Sequence, residues 1–294
     1  MMPFAMAIGI IFYEPLSHLG FTTPYLVSVM LFISYCNISL KSIRISKLHL
    51  QLVCIQLFGS ISAYLTISPF SPTVAQGAMI CILAPTATSA IVITGMLGGN
   101  TSSLTSYSLL CNMCIVIFAP IMFVIVGVDE NFSFWQSFLT IFSRIFSILL
   151  LPFIFSLALH KFIPIAHRAI KKKQSISFYL WSLALTIVTA RTVKFILSQE
   201  ESSYHTEIII ASISMIICIL QFFIGRRLGR KYNDTVAGGQ GLGQKNTVLA
   251  IWMSQTFLNP VSSLGPGTYV LWQNVINSYQ VWKHRQHNKS ENLT

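Results

Sequence analysis

The sequence predicts an all-α integral membrane protein of ten transmembrane helices. We expect two inverted repeats of five helices, with the fourth and ninth spans broken. Three observations lead to this prediction: low charge, regularly spaced apolar runs, and two matching interruptions. Of the 294 residues, 9% are charged and 53% are hydrophobic, whereas about a quarter of the residues in a soluble domain are charged. So little charge cannot cover the surface of a water-soluble protein.

The apolar runs are numerous and closely spaced. A helix needs roughly 20 apolar residues to cross the hydrocarbon core. The first run is shorter than that and lacks the basic segment of a signal peptide. We therefore expect either a chain that begins part-way along its first helix or a misassigned start. The short connections leave no room for a soluble domain. The predicted spans are 1–13, 24–40, 48–66, 74–97, 102–126, 134–159, 176–197, 207–224, 236–258 and 265–282.

The charges fall on alternate sides of these spans. Fifteen of the 19 Lys and Arg residues follow even-numbered spans, and six of the 8 acidic residues follow odd-numbered ones. Positive charge in short loops marks the cytoplasmic side, so both termini are predicted to be cytoplasmic. The net charge of +11 does not indicate nucleic-acid binding, because the basic residues are not clustered on one solvated face. The acidic residues of the odd connections are Glu14, Asp129, Glu130, Glu200, Glu201 and Glu207. The basic residues of the even connections are Lys41, Arg44, Lys47, Lys161, Arg168, Lys171, Lys172, Lys173, Arg226, Arg227, Arg230, Lys231, Lys283, Arg285 and Lys289.

Two spans are interrupted. The fourth contains APTATSA at residues 84–90, and the ninth opens with AGGQGLGQKNT at residues 237–247. Polar or irregular backbone at membrane depth persists where it is buried in protein or lines a wet cavity. Taken alone, the first segment is also compatible with a simple proline kink. The second is also compatible with a re-entrant or cytoplasmic loop.

The interruptions lie five spans apart, at corresponding positions of the two halves. An odd repeat of five spans must invert its second copy in the membrane, and matched breaks in inverted halves indicate a transporter's binding site. Half-helix ends there supply partial charges. Two other classes of protein compete with this one. An enzyme would need convergent acid–base groups, but all seven histidines lie at span ends or in loops. A channel or non-transporting receptor would also fit the breaks.

Three motifs resemble the bile acid:sodium symporter family, including its bacterial ten-span homologues. They are the Pro-Thr break running into VIT (92–94) and GN (99–100), the segment GQKN (243–246), and LWQN (271–274). Their order and spacing match, and the resemblance covers nearly the whole chain. It implies a bacterial inner-membrane transporter with a panel (1–47 and 127–206) and a mobile core (48–126 and 207–282), in which the fourth and ninth spans cross. Residues 283–294 are predicted to be a disordered cytoplasmic tail.

The resemblance also implies site residues. The expected ligand is a small organic anion, bound between panel and core, and no cofactor is expected beyond possible Na⁺. No catalytic residue is predicted, and the oligomeric state is open. The residues expected to bind the substrate are Thr88, Lys245, Asn246, Gln273 and Asn274. Those matching the ion sites or their remnants are Gln56, Ser108, Gln240 and Gln244.

The chain departs from the family where sodium binds. Gln240 replaces the acid that bridges both sodium sites, Ala90-Ile91 replaces a Ser-Asn pair, and Leu104 replaces a hydroxyl residue. Each change removes oxygen or negative charge, while Lys245 adds a cation nearby. We therefore expect sodium-independent transport in which Lys245 replaces the ion. One alternative is conventional sodium symport, with ligands from Ser103, Thr105 or a register shift. The other is a receptor of the same fold that does not transport.

Three further cations lie near span ends. Arg144, in the outer half of the sixth span, is compatible with attraction of an anionic substrate or with snorkelling outward. Arg191 and Lys194 lie near the outer end of the seventh span. We interpret them as structural partners of Glu200 and Glu201.

Overall fold

The structure is a computed structural model that describes residues 2–38, 43–127, 133–173, 175–197 and 204–291. Its described residues are almost entirely helical. Several residues used in the charge argument lie outside the described ranges, namely Lys41, Asp129, Glu130, Glu200 and Glu201.

The described residues of the first half of the chain form seven α-helices. Proline at the first turn begins both α3 and α5, where its missing N–H and fixed φ suit a helix start. A capping box between Ser46 and His49 begins α4, and the Asn100 side chain accepts from the backbone N–H of Ser103 at the start of α7. The helices are α1 (Met2–Ile11), α2 (Tyr13–Ser17), α3 (Thr23–Tyr35), α4 (Lys47–Ile67), α5 (Pro72–Leu83), α6 (Ser89–Met96) and α7 (Thr101–Val126).

Eight α-helices lie in the part of the second half that the structure describes. Proline begins α10 and lies in the first turn of α9, and the side chain of Asn246 caps α14. The helices are α8 (Phe134–Leu149), α9 (Leu151–Phe162), α10 (Pro164–Lys171), α11 (Ser175–Leu197), α12 (Tyr204–Arg230), α13 (Thr235–Gly243), α14 (Thr247–Phe257) and α15 (Leu264–Glu291).

Within the described ranges, five helical stretches are long and apolar enough to cross a membrane. Large apolar side chains also remain exposed along the bundle, for example Phe70 (88% exposed) and Ile165 (75%). Apolar surface of this extent is stable against lipid and unfavourable in water. The chain is therefore an integral membrane protein. The count of ten spans and the inverted repeat stay predictions. The five stretches are Tyr13–Tyr35, Lys47–Ile67, Thr101–Val126, Phe134–Phe162 and Tyr204–Arg230.

The C-terminal segment differs from the sequence prediction. Helix α15 continues to Glu291, whereas a disordered tail was expected from residue 283. No Gly or Pro occurs between residues 268 and 291, and the Gln, Lys and Arg residues of this segment are good helix formers. Low hydropathy ends a membrane span, but it does not by itself end a helix.

The glycine-rich part of the ninth span also differs from the prediction. Residues 235–243 form the continuous helix α13, so the interruption is confined to residues 244–246. The glycines let α13 pack directly on α12. A Cβ on Gly225 would lie 2.3 Å from the carbonyl oxygen of Gly238, and one on Gly238 would lie 2.5 Å from that of Gly225. Close packing of small residues is a common way for helices to associate in membranes, and here it outweighs the low helix propensity of glycine.

Candidate functional site

The two interruptions meet. Residues 84–88 between α5 and α6, and residues 244–246 between α13 and α14, are paired as an antiparallel bridge of Thr86 with Lys245. The N–H of Ala87 donates to the carbonyl of Gln244 (3.0 Å), and the N–H of Asn246 donates to the carbonyl of Pro85 (2.8 Å). A simple proline kink would form no such ladder. We call these two paired segments the crossover.

The C-terminal turn of α5 ends at the crossover, and side chains from three other segments bind its carbonyl groups. The carbonyl oxygens of residues 81–84 accept from Gln221 on α12 (3.2 Å), from Lys245 (2.8 Å), and from Gln56 on α4 (2.8 and 2.9 Å). The last carbonyls of a helix have no partner within the helix and carry its partial negative charge. This half-helix end is therefore fully bonded in the protein interior.

Lys245 is the charged member of this group. It is 1% exposed, and its ammonium donates to the carbonyl of Ile82. The ionisable groups near it in the described part of the chain are the thiols of Cys81, Cys111 and Cys218, and no carboxylate is among them. A buried ammonium without a carboxylate is costly to desolvate. The half-helix dipole at Ile82 offsets part of that cost.

Gln273 on α15 holds the backbone of the crossover. Its Oε1 accepts from the N–H of Lys245 (2.9 Å), and its Nε2 donates to the carbonyl of the same residue (3.3 Å). Asn246 is used similarly, since its Oδ1 accepts from the N–H of Leu249 (3.2 Å) and caps α14. Both predicted substrate ligands therefore use side-chain groups to position Lys245 and α14.

Two glutamine–tyrosine pairs support the crossover. Tyr107 on α7 donates to Oε1 of Gln56 (2.9 Å). Gln221 donates to the hydroxyl of Tyr269 on α15 (3.0 Å), and that hydroxyl donates to the carbonyl of Gly243 (2.8 Å). Gln56 and Gln221 lie in predicted spans three and eight, and the tyrosines lie in spans five and ten. The same pair of residue types thus recurs at corresponding places in both halves.

A chain of amides connects two of the predicted ion-site residues, Gln240 and Gln244. Gln240 donates to Oδ1 of Asn277 (2.8 Å), Asn277 donates to Oε1 of Gln244, and Gln244 donates to the hydroxyl of Ser89 (3.2 Å). Gln240 Oε1 is buried and has no hydrogen-bond partner among the described residues. The amide groups thus bond to one another across the region where a cation was considered.

Of the amide oxygens at the expected sodium sites, only Oε1 of Gln240 has no hydrogen-bond partner among the described residues. Sodium requires several oxygen ligands, but Ala90 and Leu104 are fully buried at this place, and Leu104 packs with Tyr107 against Gly241. The amide oxygens of Gln56 and Gln244 already accept hydrogen bonds from Tyr107 and Asn277. No charged oxygen is added, because the bridging acid is replaced by an amide.

The replacement ligands considered from the sequence are also engaged elsewhere. The hydroxyl of Ser103 is bonded to Nε2 of His49 (2.9 Å), and the hydroxyl of Thr105 donates to the carbonyl of Thr101 (2.8 Å). Ser108, which is one of the residues matching the ion sites and not a replacement ligand, is buried in α7. None of the three adds an oxygen to the amide chain in the described contacts.

Three polar residues near the crossover are at least partly accessible. Thr88 is half-buried at the start of α6, Ser89 is exposed, and Asn274 on α15 is half-buried. Helices α6 and α15 are in contact. Nδ2 of Asn274 donates to the carbonyl of Val270 one turn earlier (2.6 Å). The structure thus brings the predicted residues Thr88, Gln244 and Lys245 to one place, with Asn274 on a contacting helix.

The sequence analysis missed four residues of the site. Gln221, Asn277, Tyr107 and Tyr269 all lie on helices that the sequence presents as ordinary spans. Isolated Gln and Asn residues within apolar runs are a usable signal, because polar side chains at membrane depth usually face the protein interior. The tyrosines give no comparable signal in the sequence.

A family model described as the SBF-like CPA transporter family matches residues 12–276. The chain belongs to this family. The match covers most of the chain and includes the crossover, so the resemblance to bile acid:sodium symporter-like transporters is confirmed. The family match and the apolar helices together identify the chain as a membrane protein of a transporter family. This assignment is consistent with a protein that is not an enzyme. A comparison with curated proteins found no match.

Proposed function

We propose that this SBF-like protein is a secondary transporter of a small organic anion and that Lys245 replaces a coupling cation. The observation that carries the proposal is the contact of the Lys245 ammonium with the carbonyl of Ile82 at the C-terminal end of α5. That end and the C-terminal end of α13 both terminate at the crossover, and each carries partial negative charge. A fixed ammonium compensates this charge without an ion from solution.

The anion is proposed to bind at the N-terminal end of α6, where the helix dipole is positive, in contrast to the negative C-terminal ends of α5 and α13. Helix α6 begins at the crossover with accessible Thr88 and Ser89, and the N-terminal end of a helix dipole favours anions. Ser89 is bonded to Gln244 (3.2 Å), the residue that precedes Lys245. The substrate and the ammonium would therefore lie on neighbouring segments, and the anion would add negative charge beside the buried cation.

The recurrence of the Gln–Tyr pairs supports an inverted repeat of five spans. In such a repeat the broken helices cross near the membrane midplane, and one half moves against the other around the fixed site. We infer the ten-span, two-repeat arrangement from this recurrence, from the paired interruptions and from the charge pattern. The cytoplasmic position of the termini follows from the same charge pattern.

Reconstituted protein tests the proposal. A panel of small carboxylates and sulfonates is first screened by thermal stabilisation, since a ligand raises the melting temperature by mass action. The best stabiliser is then used in labelled form for uptake into proteoliposomes. We expect saturable uptake by the unmodified protein and loss of uptake by Lys245→Met, which is similar in length but uncharged. Saturable binding without uptake would favour a receptor, and normal uptake by Lys245→Met would refute the role of the ammonium.

A further inference from the structure

Helix α10 begins where the chain leaves the sixth predicted span. Ile163 separates it from α9 with a non-helical backbone (φ −135°, ψ 67°), and Pro164 follows at the first helical position, where proline suits a helix start. The eight residues of α10 extend over roughly 12 Å at 1.5 Å per residue. The hydrocarbon core is roughly 30 Å thick, so α10 does not cross it and lies at the end of the span.

One side of α10 packs on the protein. The helix contacts α9 and α3. His167 is 9% exposed, and its ring meets that of His160 on α9 edge to face, with centroids 4.7 Å apart. Ala166 and Ile170 are partly buried on the same side. These contacts determine which residues of α10 face outward.

The outward side and the turn before it are apolar. Phe162 is 74% exposed, Ile163 55% and Ile165 75%, and Ala169 is exposed one turn after Ile165. Large apolar side chains grouped in this way are unfavourable in water and mark an interaction surface. Since they follow directly on the end of a membrane span, the surface beside them is that of the bilayer.

The same segment is strongly basic. The Nζ of Lys161 lies 5.4 Å from the centroid of the Phe162 ring, so cationic and apolar groups alternate from its first residue. The sequence contains no Asp or Glu between residues 131 and 199, and no acid close along the chain offsets these charges. The exposed basic residues are Lys161, Arg168, Lys171, Lys172 and Lys173.

The boundary between lipid headgroups and acyl chains fits both properties. Helices with apolar and basic residues lie in this boundary, where long basic side chains extend toward the headgroups while their stems cover apolar surface. A Lys or Arg near an anionic leaflet contributes about 1 kcal/mol to its attraction. The charge pattern predicts this connection on the cytoplasmic side, where the leaflet carries negative surface potential.

We propose that residues 161–173, which we call the α10 patch, are a docking surface for anionic phospholipids. Phe162, Ile163 and Ile165 enter the boundary between headgroups and acyl chains, and the five basic side chains bind lipid phosphates. The α10 patch is independent of the crossover and of the proposed role of Lys245. It fixes this end of α9 to the leaflet on the predicted cytoplasmic side.

The test measures which lipids surround α10 in the full chain. Ala169→Cys is introduced in a background with Cys54→Ser and Cys114→Ser, because the other four cysteines are buried. The new cysteine is labelled with bimane, and the protein is placed in phosphatidylcholine nanodiscs. These contain either brominated phosphatidylcholine or the same fraction of brominated phosphatidylglycerol. Bromine quenches bimane at short range, so we expect phosphatidylglycerol to quench at least about twofold more strongly.

Two charge variants show whether the preference belongs to the α10 patch. The first removes three of its charges and should make quenching by the two lipids equal. It carries Lys171→Gln, Lys172→Gln and Lys173→Gln. The matched control removes three exposed charges from the C-terminal end of α12 and the turn after it, and it should retain the preference. It carries Arg227→Gln, Arg230→Gln and Lys231→Gln.

Two further arms test insertion and the source of the phosphate. Ile165→Ser keeps every charge and should lower quenching by both lipids. Inorganic phosphate added at constant ionic strength should leave the preference unchanged, because the α10 patch binds a membrane surface. Equal quenching in the unmodified patch, an equal fall in the α12 control, unchanged quenching in Ile165→Ser, or loss of the preference in phosphate would each overturn the proposal. None of these measurements involves transport, so such a result leaves the role of Lys245 standing, and normal uptake by Lys245→Met leaves the α10 patch standing.

Discussion

Replacing Lys245 should separate function from stability. Lys245→Met removes one charge-assisted hydrogen bond, to the carbonyl of Ile82 (2.8 Å), which contributes about 1.5–3 kcal/mol. The same change removes an ammonium that is 1% exposed and has no carboxylate partner among the described residues, and burial of such a charge costs several kcal/mol. The second effect is larger. We therefore expect Lys245→Met to leave the free energy of unfolding unchanged or to raise it by about 1–3 kcal/mol, while uptake is lost.

Gln56→Leu is the matched control, because Gln56 binds the same helix end without charge. It donates to the carbonyls of Leu83 and Ala84 and accepts from Tyr107. Its removal deprives the two buried carbonyls and the Tyr107 hydroxyl of this partner and should lower the free energy of unfolding by about 2–4 kcal/mol. Equilibrium unfolding in mixed micelles titrated with dodecyl sulfate measures both variants. If Lys245→Met destabilises the protein as much as Gln56→Leu does, the main role of Lys245 is to stabilise the fold. That result would refute the prediction that Lys245 serves function at a cost in stability.

Three further changes test the crossover and its surroundings. Tyr269→Phe removes the hydrogen bonds to Gly243 and Gln221 and should lower the free energy of unfolding by about 1–3 kcal/mol. The control Tyr279→Phe, at an exposed site, should have little effect. Equal stability of the two variants would contradict the bonding described. Gly225→Ala places a Cβ 2.3 Å from a backbone oxygen of α13 and should lower the free energy of unfolding by about 3 kcal/mol or more. In the control Gly267→Ala, the added Cβ meets nothing within 4 Å. Thermal unfolding compares the stability of the two variants. A cysteine at half-buried Asn274 should react with small thiol reagents applied from either side of the membrane, and a stabilising ligand should slow the reaction. Inertness from both sides would show that α15 does not face the substrate pathway.

The sequence was sufficient to locate the breaks. Pro85 followed by hydroxyl residues, and Gln244-Lys245-Asn246 after the glycines, cannot continue a lipid-facing helix. Their symmetric positions predicted that they would meet, and they pair directly. Hydropathy identifies which residues lie in a span, and interruptions identify where the backbone leaves the helix.

The partners at the crossover could not be predicted from the sequence. Which way Gln273 or Gln221 points depends on the rotation of each helix about its axis, and uniformly apolar spans fix that rotation poorly. Gln273 was expected to bind substrate, but both ends of its amide bind the backbone of Lys245. The glycines of α13 were mistaken for a break because their contact with α12 involves residues that are distant in sequence, such as Gly225.

Uptake in the absence of sodium tests the central claim most directly. Proteoliposomes containing the unmodified protein are assayed with the labelled stabilising anion in sodium buffer and in potassium buffer of equal ionic strength. Because the proposed mechanism assigns the role of the cation to Lys245, the account predicts equal initial rates in the two buffers and no uptake by Lys245→Met in either. A collapse of uptake in potassium would contradict the account and indicate sodium symport.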